Sequence, residues 1–173
     1  MHNENYSLDL IHFLKAPAKT PNQTIYTRAV QHQNQLTKPS GSLGKLEALA
    51  TQLASLQEAD KPHIEHILIR IFAADHGVAD EGVSAFPQAV TAEMIKNFSA
   101  GGAAISVLAK SLDADFGVIN LGTASKLPEL AKVTDCRIAA GTKNFCQEAA
   151  MDDAQLELAI LTGRDTVLQF NRD

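Results

Sequence analysis

The run His66-Ile-Leu-Ile-Arg-Ile-Phe-Ala-Ala74 leads directly into Asp75-His76-Gly77-Val78-Ala79-Asp80-Glu81-Gly82, a polar loop punctuated by glycine. Branched apolar residues bounded by turn formers read as a buried strand of a parallel sheet. In open α/β sheets, ligands gather beyond the carboxyl ends of such strands. The loop from Asp75 to Gln88 is therefore the first place to look for chemistry.

The remaining pattern agrees with that class. Asp115 to Gly122 is a second buried-strand pattern, and Val133 to Ile138 is a weaker third. Helical spacing is predicted over 21–36, and again where Leu46, Leu49, Leu53 and Leu56 recur on one face. Ser42 is the expected N-cap of that second helix. Further helices are expected over 91–97, 103–111 and 152–170, with Gly101-Gly102 breaking the first two apart. Strands alternating with helices imply βαβ units. The expected fold is α/β: an incomplete, Rossmann-like, three-layer core on a parallel sheet, with an N-terminal helical appendage. The expected division is residues 1–60 as the helical segment and 61–173 as a partial α/β domain. The closing helix carries Leu156, Ile160, Val167, Leu168 and Phe170, an apolar load that needs more cover than three strands supply.

Composition narrows the function. The chain has 173 residues, no Trp and 5% aromatics, so its core must be built from Leu, Ile, Val and Ala. Fifteen basic against 20 acidic residues leave a net charge of -5 without a basic cluster, which argues against a nucleic-acid partner. The N-terminal residues show no leader pattern, and no apolar run approaches a membrane span. Cys136 and Cys146 lack a CxxC neighbour and read as free thiols. A cytoplasmic protein without membrane contact is expected.

Asp75, His76, Asp80 and Glu81 are of metal-ligand type, but their spacing matches neither HExxH nor a paired-His pattern. The simpler reading has Asp75 and His76 bonding loop amides and each other, with Gly77 and Gly82 supplying positive φ. Gly41 to Lys45 departs from the phosphate-loop pattern and reads as a turn before a helix. Gly101-Gly102 reads as close packing of helix on sheet. Gly122-Thr123-Ala124-Ser125 follows the second strand and is a small-residue loop at the ligand edge.

Several motifs in register resemble the amino-terminal half of the nicotinate-nucleotide:dimethylbenzimidazole phosphoribosyltransferase (CobT) family. They are Lys38-Pro39-Ser40-Gly41-Ser42-Leu43-Gly44-Lys45-Leu46-Glu47, Asp75-His76-Gly77-Val78 with Asp80-Glu81-Gly82-Val83, and Pro87-Gln88 with Val90-Thr91. Asn97-Phe98 with Gly101-Gly102-Ala103-Ala104-Ile105, and Gly141-Thr142-Lys143-Asn144-Phe145 with Ala150-Met151, extend the match over residues 20–170.

The resemblance implies transfer of a phosphoribosyl group from nicotinate mononucleotide to 5,6-dimethylbenzimidazole in cobalamin lower-ligand synthesis. It implies no metal or other cofactor, and a homodimer. It assigns base binding to Ser84, Phe86, Pro87 and Met94, and a structural role at the site loop to Asp75, His76, Gly77, Asp80, Glu81 and Gly82. The family's general-base glutamate and its glycine-rich phosphate loop have no counterpart here, so no catalytic residue is assigned. A truncated chain, inactive alone, is therefore expected. The alternative is a non-catalytic protein of the same fold that binds an aromatic ligand or a partner. Asn120 stands where many relatives carry Asp.

Overall fold

The computed structural model describes residues 7–170; residues 1–6, which belong to the stretch read for a leader, and the closing residues 171–173 lie outside it. The chain forms two compact units, Ala16–Glu65 and, separately, Met1–Lys15 with His66–Asp173.

In the smaller unit, α2 (Gln23–Gln35) packs against α3 (Lys45–Gln57). Asn22 caps α2 by accepting the amides of Thr24 and Ile25 at 3.0 and 3.1 Å. Its own carbonyl accepts the Ser55 hydroxyl at 3.1 Å, tying the start of α2 to the end of α3. The face of α3 that packs is small: Thr51, Ala54 and Ser55 are buried, and Ala54 meets Ile25 and Ala29. Leu46, Leu49 and Leu56 lie exposed. The leucine stripe that predicts this helix is thus turned away from α2, because short side chains let the two backbones approach. Nor does Ser42 cap α3. Gly44 stands at the N-cap with φ +55°, and the Glu47 carboxylate reaches back to the Leu43 amide at 3.2 Å. Lys38, 2.7 Å from the same carboxylate, is the main reason that Glu47 titrates below an ordinary glutamate.

The larger unit is built on three parallel strands in the order β1 (Leu68–Ala74), β2 (Asp115–Gly122), β3 (Val133–Asp135). Helices α4 (Ala89–Ala100) and α5 (Ala104–Ser111) connect β1 to β2 and cover one sheet face. Alternation along the strands sends Ile69, Ile71, Ala73, Phe116 and Val118 to that face, where they pack with Ile95, Phe98 and Ala109. The rings of Phe98 and Phe116 meet tilted, with centroids 6.5 Å apart.

Gly101 ends α4 in the left-handed region at φ +80°. The amides of Gly101 and Gly102 return to the carbonyls of Phe98 and Asn97. A Cβ on Gly102 would collide with the Asn97 side chain. The paired glycines therefore form a helix C-cap, not a helix-on-sheet contact.

The opposite face carries Arg70, Gly117 and Ile119. Helix α6 (Asp153–Phe170) stands beyond it across a cavity of about 730 Å³, presenting Thr162, Asp165 and Thr166. No residue of α6 is fully buried, and Leu158, Val167 and Leu168 are exposed. A helix absent from the sequence reading, α1 (Leu8–Lys15), is held to α6 by Arg164. The Arg164 guanidinium donates to Asp9 at 2.6 Å and lies 5.8 Å from the centroid of the Phe13 ring.

Two outcomes are expected. Gly163 sits inside α6 with open space around its missing Cβ; Gly163→Ala should raise unfolding stability by about 0.5–1 kcal/mol in urea titration. The Arg70 fork grips Asp115 at 2.7 and 3.2 Å, and its hydrogen bond holds that carboxyl below the ordinary 3.8. A depressed carboxyl contributes stability above its unfolded value and loses it as pH falls through the folded one. Arg70→Met should therefore move the Asp115 titration, followed by NMR, up toward 3.8.

Candidate functional site

Strand β1 ends at Ala74, where the register with β2 slips: Ala73 pairs with Asn120 but Ala74 pairs with Gly122. This bulge at the carboxyl edge re-aims the chain as it leaves the sheet. Asp75 is 3% exposed, and it continues the pairing by donating its amide to the Gly122 carbonyl at 2.9 Å. Its carboxylate accepts the Ala124 amide at 2.7 Å. The loop after β3 then adds to the same edge. Thr142 donates its amide to the Asp75 carbonyl, and its own carbonyl accepts the Gly77 amide at 2.9 Å.

The motif loop becomes a short 3-10 helix, Gly77–Glu81, closed by Gly82 at φ +72°. Gly82 thus supplies the positive φ expected of it. Gly77 does not, and it is a glycine for a different reason. A Cβ there would lie 2.6 Å from the Asn144 amide nitrogen and 2.8 Å from the Thr142 carbonyl oxygen. Asp75 accepts a loop amide as expected, but Asp75 and His76 bond other groups rather than each other. Asp75 bonds Ala124, while His76 Nδ1 lies 3.3 Å from the Thr142 hydroxyl. Glu81 accepts the Asn144 side-chain amide at 2.6 Å, clasping the 3-10 helix to the 141–148 loop. Asp80 is exposed.

A cavity of about 300 Å³ opens on this edge. Val78, Val83, Phe86, Pro87 and Val90 form its apolar wall. Asp75, His76, Ser84, Gln88 and Thr91 supply polar atoms around it. Ser84 fixes the wall by donating its hydroxyl to the Phe86 carbonyl at 2.9 Å while the Phe86 amide returns at 3.3 Å. Phe86 itself is 70% exposed, so one side of the cavity is open.

Met94 lies on α4 outside the lining residues, as do Asp80, Glu81 and Gly82 in the loop. Gln88, which the sequence places at the end of the candidate loop and in the Pro87-Gln88 motif without a base-binding role, lines the cavity and donates to the His76 carbonyl at 2.9 Å. Its place just before α4 and just after Pro87 is the signal that points to it. Among the described residues, no three His, Cys, Asp or Glu side chains are grouped to hold a metal ion. No helix among them is long and apolar enough to cross a membrane.

Because backbone, not a flexible side chain, faces Gly77, relief by rotamer change is closed. Gly77→Ala should cost about 1–3 kcal/mol of unfolding stability, read as a fall in the urea midpoint.

A family model described as phosphoribosyltransferase matches residues 18–173. The nicotinate-nucleotide–dimethylbenzimidazole phosphoribosyltransferase of Ectopseudomonas mendocina (strain ymp) is 50% identical over 155 residues, which cover 90% of this chain and 44% of that protein. The enzyme of the same name from Pseudomonas fluorescens (strain SBW25) is 53% identical over 150 residues, covering 87% and 43%. The crystal structure of CobT from Thermus thermophilus superposes with a TM-score of 0.80 at 38% identity, over 86% of this chain and 45% of that one. The chain therefore spans less than half the length of the relatives it matches. With the family model matched over residues 18–173 and relatives of about half identity along the same span, the chain belongs to the phosphoribosyltransferase family.

Proposed function

We propose that this chain provides the base-binding half of a nicotinate-nucleotide:dimethylbenzimidazole phosphoribosyltransferase site. The observation that carries the reading is the cavity at the carboxyl edge of the sheet, apolar on the Val78, Phe86 and Pro87 side. A flat, methylated benzimidazole suits such a wall, since aromatic and aliphatic side chains gain most by covering a planar apolar ring. Polar atoms at the rim, from His76, Ser84 and Gln88, suit the two ring nitrogens. Met94, on α4 outside the lining, is assigned to the base by the resemblance alone.

In the proposed reaction one ring nitrogen of the base forms a bond to ribose C1′ of nicotinate mononucleotide. The bond from C1′ to the nicotinate nitrogen breaks, nicotinate leaves, and the attacking ring loses a proton, giving α-ribazole 5′-phosphate. The wall and rim contribute orientation: a base held flat in line with C1′ needs no search at the moment of attack. Proton removal and phosphate anchoring call for groups that the resemblance assigns to sequence with no counterpart here. A cytoplasmic location and a homodimer belong to the same reading.

Titrating the chain with 5,6-dimethylbenzimidazole by NMR should shift amides of residues 76–91. Phe86→Ala should weaken binding about tenfold, the loss of one well-covered aromatic contact. Turnover with nicotinate mononucleotide should stay below detection. Shifts scattered away from the cavity, or an affinity unmoved in Phe86→Ala, would reject the assignment.

A further inference from the structure

Bonded to Asp75 of the cavity lining is a turn whose polar groups are used internally. Gly122 and Thr123 donate their amides to the Asn120 side-chain oxygen at 3.2 and 3.0 Å. Ala124 donates to the Asp75 carboxylate at 2.7 Å. The carbonyls of Thr123 and Ala124 accept from the Arg137 guanidinium at 2.8 and 3.1 Å. The Thr123 hydroxyl donates to the Ser125 carbonyl at 2.7 Å. Thr123 and Asn120 are both 0% exposed. Amides already engaged in this way are not free to cradle a phosphate, so the turn acts as a mount.

Asn120 is the centre of that mount. Its Nδ2 donates to the Asp135 carboxylate at 2.9 Å while its Oδ1 accepts the two turn amides. With Asp135 opposite it in this chain, the position needs a donor on one side and an acceptor on the other. Ionised carboxylates only accept and ammonium groups only donate, so a side-chain amide of this length meets both needs. Buried polar groups left without partners are costly, so the arrangement is held tightly.

We infer that Asn120 is the positioning residue of the cavity: bridging Asp135 to the Gly122 and Thr123 amides, it fixes the turn from which Asp75, and with it the start of the His76 loop, is hung. It touches no ligand and acts through Ala124 and Asp75. The charged groups bonded into the same turn are Asp135, Asp75 and Arg137. As a statement about ligand binding the inference rests on the base-binding reading above; as a statement about the turn it stands without it.

The test is a swap. Asn120→Asp keeps the acceptor but sets a carboxylate against Asp135, whereas Asp135→Asn leaves Asn120 a carbonyl oxygen to donate to. In the double variant N120D/D135N the bridge is rebuilt with donor and acceptor exchanged. Hydrogen exchange at the Ala124 amide should be roughly tenfold or more faster in N120D. It should be near the parent value in D135N and recovered in the double variant.

The dissociation constant for 5,6-dimethylbenzimidazole should follow the same order, rising roughly fivefold or more in N120D and returning in the double variant. Unchanged Ala124 protection in N120D, or no recovery in the double variant, overturns the inference. If N120D does not fold, a folded double variant supports the bridge and an unfolded one overturns it. A parent chain that fails to bind the base sinks the base-binding reading and leaves the exchange cycle to decide the mount. A parent that binds, with an affinity indifferent to N120D while exchange responds, overturns the positioning role.

Discussion

The Asp75 carboxylate, buried to 3% exposure and accepting the Ala124 amide at 2.7 Å, joins the chain just past β1 to the turn just past β2. A buried carboxyl group without such a donor would be expensive. The bulge between Ala73 and Ala74 brings Asp75 level with the turn, and the 141–142 segment completes the edge from the other side. From that frame the 3-10 helix and the Phe86 wall project outward.

Rigidity is unevenly distributed about the site. The turn from Gly122 to Ala124, bonded to Asp75, has its amides met by the Asn120 and Asp75 side chains and two of its carbonyls by Arg137. The wall is mostly exposed, with Phe86 fixed chiefly by the Ser84 hydroxyl. The same unevenness recurs elsewhere. Helix α6 stands over a cavity of about 730 Å³ and buries none of its residues fully, while α3 keeps three leucines exposed. Both are apolar surfaces of a kind that folded domains usually cover.

Much of the architecture is legible in local pattern. Strand β2 spans Asp115–Gly122 as its branched run indicates, and β1 loses only its first residues from the expected run. The helices fall where spacing and turn residues place them, and Gly101 and Gly82 mark the left-handed positions that only glycine takes cheaply. What escaped were long-range choices. Helix α1 is short and its anchor, Arg164, is far away in sequence. The α3 stripe predicts a helix but not which face packs, since small residues won the contact with α2. Gly77 looks like a turn residue until Asn144 is seen against it.

Taken alone, the order of residues determined an alternating α/β chain with a polar loop at a strand end, because periodicity and turn chemistry are properties of neighbours. Only the folded chain decided that Asp75 would meet Ala124, that Asn120 would bridge to Asp135, and that Gln88 would stand at the cavity. Those pairings join segments across 49, 15 and 12 positions in the chain, and no local rule reaches so far. They are set by which buried polar groups can satisfy one another once the sheet has brought them within bonding distance.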